Sequence, residues 1–310
     1  LIQLVGKAKM IIIDEGQKVS TIGQTTKLLV DYYKTKVQVV VTGSSSFHLL
    51  RGTEEALTGR KFVYALFPLS LEEISQATNP LTIAKQLDQW LIYGLYPDVV
   101  QQSSFEDKKE VLRNLTSSYL YKDIFEFYQI KHPDVLVHLL KALALQVGAE
   151  VSTTELASLI GIDKKTVERY LNLLEQSFII FRLAPYHLNK RREITKLKKV
   201  FFYDIGIRNA IINNFNFLPD RNDLGALWEN FLIVERLKYQ AYHGIASSNY
   251  FWRTYDGSEV DWVEERDGKV FGYEFKWNSN KSAQPPLAWK NHPLASYQVI
   301  SKPTLNSFIL

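Results

Sequence analysis

The sequence predicts a multidomain α/β protein, and three observations carry that reading. An apolar run ending in acids, a helical stretch and a second apolar run follow one another over residues 10–44, the strand, crossover and strand of a doubly wound parallel sheet. Residues 151–183 read as helix, tight turn, helix and a β-like tail, and residues 258–277 as two strands around an Asp-Gly turn. A chain of 310 residues, 46% of them hydrophobic, holds material for two or three cores rather than one. By pattern it divides into an α/β segment at 1–80, amphipathic helices at 81–130, a helix-turn-helix at 131–185 and a second α/β segment at 186–310.

Composition narrows the function classes. No window reaches the roughly 18 uncharged apolar residues of a membrane helix. The start "LIQLVGKAKM" has neither the apolar core nor the cleavage site of a signal peptide, so a cytoplasmic protein with no membrane partner is expected. Without cysteine there is no disulfide framework or thiol chemistry. Any metal must sit on carboxylates, histidines or backbone oxygens, which favours magnesium. A net charge of +4 is too small to argue for a polyanionic partner, so charge distribution has to. Leu1 in place of an initiator methionine reads as part of a longer chain.

In "KMIIIDEGQ" the run Met10 to Ile13 ends in Asp14 and Glu15, as a central parallel strand would whose carboxyl end opens onto a site. A helix is predicted over 21–34, and then "VQVVVTGSSS" ends in Thr42, Gly43 and Ser44. Ligands of such sheets lie beyond the carboxyl ends of the strands, which places Asp14 and Glu15 where phosphate chemistry occurs. The first acid would hold magnesium and the second would orient the attacking water. An acidic strand end without function is the plainer alternative.

With "IIIDEGQ", "VVVTGSSS", "LTGR" followed by "YALFPLSLEEI", and "YGLYPDVV", nearly the whole chain resembles bacterial and archaeal P-loop ATPases of the AAA-like type joined to a winged helix and a C-terminal nuclease-like domain. The resemblance implies that Asp14 and Glu15 are the Walker B pair and that Thr42 or Ser44 senses the γ-phosphate. It also implies that Arg60 is a phosphate sensor or an arginine acting across a homo-oligomer boundary. One part departs from the pattern. A Walker A loop needs Gly, four residues, then Gly-Lys-Ser/Thr; here Gly6-Lys7 is followed by Ala8, and position 1 is Leu. ATP is therefore expected to be a cofactor of the full-length protein, and this chain alone is expected to bind or hydrolyse it poorly.

From Leu81 to Tyr128 apolar residues recur at three- and four-residue spacing, the expected helical lid, with Pro97 marking a turn and the aromatics of 119–128 read as core. Ser152 and Glu155 predict a capping box, Gly161 a helix stop and Asp163 a second cap. Val167, Leu171 and Leu174 share one face of the second helix, with Lys164, Lys165 and Arg169 nearer the other. With "FIIFRL" following, this reads as a winged helix-turn-helix whose lysines would contact DNA phosphates, or as a spacer between domains. "NKRREITKLKK" sets Lys190, Arg191, Arg192, Lys196, Lys198 and Lys199 against Glu193, a basic loop between a candidate DNA reader and a candidate nuclease.

In "SEVDWVEERDGKVFGYEFKW" a turn at Asp267-Gly268 sets Arg266 opposite Lys269. Counting back sets Asp261 opposite Glu274 and Glu259 opposite Lys276, with Val260, Trp262, Tyr273 and Phe275 on the buried face. Like charges directly opposite destabilise a sheet. Either a divalent cation bridges Asp261 and Glu274 beside Lys276, or the face is simply solvated. The resemblance implies a restriction-endonuclease-like PD-(D/E)xK fold with Glu229, Asp261 and Glu274 as ligands and Lys276 as the catalytic lysine; Val260 stands where that motif has proline. The expected function is ATP-regulated DNA binding or processing with a magnesium-dependent nuclease site. The alternatives are a non-cleaving ATPase switch and an interaction protein that binds no nucleic acid.

Overall fold

The computed structural model describes residues 6–43, 57, 59–117, 133–187, 197–278, 284–290 and 295–309. The chain forms two compact units, residues 1–65 with 172–179, and residues 66–171 with 180–310. Expectations at Ser44, Lys190, Arg191, Arg192 and Tyr119 to Tyr128 lie outside the described residues.

In the first unit, β1 (Met10–Ile13) pairs in parallel with β2 (Gln38–Val41), Ile13 against Val41, through the crossover helix α1 (Ile22–Tyr33). The predicted strand, crossover and strand are all present. The expected cover on both faces of β1 is not: Met10 is 48% and Ile12 64% exposed, while Ile11 and Ile13 are half-buried. Among the described residues β1 pairs along one edge only, so alternate side chains of a two-sided strand face outward.

The second unit opens with α2 (Leu71–Ala77), α3 (Pro80–Tyr93), α4 (Pro97–Val100), α5 (Phe105–Asn114) and α6 (Pro133–Leu145). Start signals fix their ends: Ser70 and Glu73 form a reciprocal capping box on α2, and Asn79 accepts from Thr82 N at 2.9 Å before α3. Leu91, Leu112, Leu139, Leu140 and Leu143 are almost wholly buried. After β3 (Glu150–Val151) come α7 (Thr153–Ile160) and α8 (Lys164–Gln176), whose residues from Asn172 onward group with the first unit. Gly161 stops α7 at φ 77°, and Asp163 caps α8 by accepting from Thr166 N at 2.9 Å. Val167, Leu171 and Leu174 are buried, and Lys164, Lys165 and Arg169 exposed, as the face pattern predicts.

The strands β4 (Ile180–Pro185), β5 (Lys198–Phe202), β6 (Ser248–Arg253), β7 (Glu259–Arg266), β8 (Lys269–Phe275) and β9 (Ala295–Ile300) join β3 in one mixed sheet of order β3-β5-β4-β6-β7-β8-β9. β4 runs antiparallel to β5 and parallel to β6, with Ala184 against Tyr250. The expected segment boundary at 185/186 thus falls between two paired strands. The helices of this half are α9 (Ile205–Ile211), α10 (Leu224–Tyr242), α11 (Leu287–Lys290) and α12 (Asn306–Ile309). Among the described residues no helix is long and apolar enough to cross a membrane.

Candidate metal centre

The β7–β8 hairpin turns where the sequence predicts. Asp267 at φ 53° and Gly268 at φ 70° make the two-residue turn, and Arg266 pairs with Lys269. The register holds as far as Trp262 against Tyr273, where the ladder ends. On the other edge of β7, Tyr250 pairs with Val263 but Trp252 with Val260, one extra residue on β7 and therefore a bulge. Val260 consequently packs in the same cluster as Val263 and Trp289, while Trp262 donates from Nε1 to Glu264 Oε1 at 2.9 Å. The expected common face for Val260 and Trp262 is corrected by this bulge, which sits at Asp261.

Asp261 and Glu274 lie one position beyond the last paired residues of the ladder. Asp261 Oδ2 accepts from Phe275 N at 2.7 Å, anchoring the carboxylate to the end of β8. Glu259 does not meet Lys276; it meets Lys199 of β5, with Arg253 Nε at 3.9 Å from its other oxygen. Lys199 Nζ also lies 2.8 Å from Glu229 Oε1. Glu229 is placed there by its neighbour Asn230, which accepts from Phe202 N and donates to Phe202 O, both at 2.8 Å, and so ties α10 to β5. Lys276 pairs with Glu274 Oε1 at 2.5 Å, and Glu274 Oε2 is buried without a hydrogen-bond partner.

Glu229, Glu259 and Asp261 each offer a carboxylate oxygen, and these oxygens lie within 4.8 Å of one another. The expected ligand set had Glu274 in place of Glu259. The geometry brings Glu259 into the group and leaves Glu274 beside it, held by Lys276. All-oxygen donors at this spacing fit a hard cation, and Glu274 Oε2 is buried without a hydrogen-bond partner. Burial, reinforced by the Glu229 and Glu274 charges, pushes the Asp261 carboxyl well above the usual range. Burial raises Glu229 too, against the opposing pull of Lys199. Burial works against the Lys199 ammonium, but Glu229, Glu259 and Asp261 outweigh it and hold it above the ordinary lysine value.

By sequence Lys199 belongs to the basic run 190–199. The signal against a solvated place lies one residue on, where Val200, Phe201 and Phe202 continue as an apolar strand that carries its first residues inward.

An Asp261 carboxyl raised in the folded state keeps its proton to higher pH than in the unfolded chain, so stability falls as pH rises from the unfolded carboxylate range toward the folded value. Asp261→Asn keeps an acceptor for Phe275 N–H and removes that penalty. In chelator, thermal melts of the variant are expected to match wild type near pH 4 and to exceed it increasingly toward pH 8.

In the first unit, Thr42 Oγ1 donates to Asp14, and Gly16 N donates to Thr42 O at 2.8 Å, so both strand ends meet. Glu15, left-handed at φ 52°, lies 3.2 Å from Lys18. Arg60 is ion-paired with Asp31 of α1.

Comparisons with known proteins match three stretches of the chain. Residues 1–75 match an AAA domain family, residues 224–302 a domain of unknown function (DUF4143), and residues 84–217 another domain of unknown function (DUF8612). The AAA and DUF4143 matches support an AAA-like ATPase family. An uncharacterized protein of Mycobacterium tuberculosis is 26% identical over 285 residues, 91% of this chain and 62% of its own length. One from Haemophilus influenzae is 26% identical over 64% of this chain and 51% of its own length. One from Methanocaldococcus jannaschii is 22% identical over 82% of this chain and 58% of its own length. The chain therefore spans about three fifths of the mycobacterial relative. No solved structure matches it significantly.

Proposed function

We propose that this chain is the DNA-engaging part of an AAA-like ATPase and that its C-terminal half carries a divalent-cation site for phosphodiester hydrolysis. The observation that carries the reading is the convergence of Glu229, Glu259 and Asp261 beside the Glu274–Lys276 pair. The succession α10, β6, β7, β8, α11, β9, with a parallel last strand, supports a PD-(D/E)xK-like domain. The order β3-β5-β4 around α7 and α8 supports a winged helix with Lys164, Lys165 and Arg169 open to phosphates. Magnesium bound here would supply charge neutralisation and an activated water. Asp261, Glu229 and Glu259 would hold it, Glu274 would accept a proton or complete the ligand set, and Lys276 would steady the phosphate. In the ATPase unit, Asp14 and Thr42 would address magnesium and the γ-phosphate and Glu15 the attacking water. Arg60 must leave Asp31 to reach nucleotide.

Calorimetry with Mg2+ and Mn2+ tests the site, followed by nicking assays on single-stranded, duplex and branched DNA. Saturable binding lost in Asp261→Asn, with cleavage lost in both Asp261→Asn and Lys276→Ala, is the expected result. DNA binding whose affinity falls steeply with salt, without cleavage, would shift the function to the non-cleaving switch, a second reading that the Lys199 ammonium inside the cluster favours. Absence of both would leave an interaction protein.

A further inference from the structure

The acid cluster is not left to solvent ions alone. Lys199 comes from β5, in the three-stranded end of the sheet, and its side chain is 5% exposed. It touches Glu229 and Glu259, two of the three converging carboxylates. The same end of the sheet encloses the site further. Gly148 lies so close that a Cβ there would stand 3.3 Å from Glu229 Oε2, and Glu150 of β3 holds Arg253 at 3.1 Å, the arginine that borders Glu259. Four carboxylates, Glu229, Glu259, Asp261 and Glu274, therefore face two ammonium groups, Lys199 and Lys276, and Lys276 is committed to Glu274. With the Arg253 guanidinium also counted at Glu259, acidic groups still outnumber basic ones here, and Glu274 Oε2 is buried and unbonded.

We propose that Lys199 is the resident cation of this cluster: it sits between Glu229 and Glu259, competes with a divalent cation for their oxygens, and lowers the affinity for it. The inference rests on reading the cluster as a cation site. Its physical basis is repulsion between an ammonium and a divalent ion that share carboxylates where water is largely excluded and salt screens little. Lys199 is a positioning residue here, since it acts through Glu229 and Glu259.

Titration of the whole chain with Mn2+, read by calorimetry and by thermal melts with and without chelator, compares wild type with Lys199→Met and Lys199→Arg. Lys199→Met is expected to bind Mn2+ about tenfold or more tightly, to melt lower than wild type in chelator, and to regain that loss with Mn2+. Lys199→Arg is expected to behave as wild type. If Lys199→Met does not fold, Lys199→Gln, whose amide can still donate to Glu229, is expected to fold and to show the tighter binding. Unchanged or weaker Mn2+ binding, or a lost stability that Mn2+ does not restore, would overturn the inference. Binding by wild type with no gain in the variants sinks the inference and leaves the proposed cation site standing. Binding by Lys199→Met alone does the reverse.

Discussion

Replacing Arg236 by methionine is expected to cost about 3 kcal/mol of stability at neutral pH, because it strips a buried carboxylate of its two-pronged partner and leaves it only Arg266 and Trp262. Arg236 Nε lies 2.6 Å from Glu264 Oε1 and Nη2 3.1 Å from Oε2, a two-pronged pair, while Nη1 donates to Phe308 O at 2.6 Å. The guanidinium also sits 4.9 Å from the Phe308 ring centre and 5.7 Å from that of Tyr273. One side chain thus pins α10 to β7 and to α12. The consequence reaches the site, since Glu229 lies two turns before Arg236 on the same helix and Asp261 three residues before Glu264 on the same strand. Burial alone would raise Glu264, but Arg236, with help from Trp262 and Arg266, outweighs it and keeps the carboxyl below its ordinary value. A depressed carboxyl contributes stability above the unfolded value, and that contribution is lost as pH falls through the folded one. The wild-type advantage over Arg236→Met should therefore shrink on acidification. Denaturant unfolding at pH 7 and pH 4 checks this, with Arg236→Met/Glu264→Gln expected to recover most of the loss. Equal losses at both pH values would assign the effect to packing rather than charge.

How much of this was legible in the sequence depends on how local each signal is. The turn at Asp267-Gly268, the stop at Gly161 and the start at Asp163 are set by residues within three positions of the event, and the structure places each where the sequence does. The β1–α1–β2 unit was legible from two apolar runs and the helix between them. What covers the outer face of β1 was not, because period and composition describe a strand and not its neighbours. The bulge at Asp261 escaped because it is imposed by β6, whose register against β7 has no signature in "SEVDWVEE". Lys199 escaped for a related reason: a lysine in a run of basic residues looks solvated until a strand from elsewhere carries it into a group of acids. The interior charges of α10, Glu235, Arg236 and Lys238, likewise blurred the amphipathic pattern that would have marked its buried face.

The "YGLY" segment yields the other large expected effect. Gly94 ends α3 at φ 73° and ψ −166°, a region that only glycine enters readily. A Cβ there would stand 2.1 Å from Asp204 Oδ1. Asp204 cannot withdraw without loss, since its carboxylate accepts from Leu95 N at 2.8 Å and from Ile207 N at 3.0 Å, closing the chain after α3 and starting α9. Gly206, in the first turn of α9, is tighter still: a Cβ would meet Tyr93 O at 2.0 Å and Tyr93 C at 2.5 Å, backbone atoms that no rotamer change moves. Gly206→Ala is therefore expected to lose at least the upper end of the roughly 1–3 kcal/mol typical of overpacking, with Gly94→Ala close behind through strain and clash together. Gly225, in the first turn of α10, has nothing within 4 Å of its would-be Cβ. Gly225→Ala should instead gain about 0.5–1 kcal/mol from helix propensity. Melting the three variants side by side separates a helix-packing role from general intolerance of side chains. If Gly206→Ala melted with Gly225→Ala, the contact between α3 and α9 would have to be looser than the geometry requires, and the tie from the helical segment to the strand that carries Lys199 would lose its main physical support.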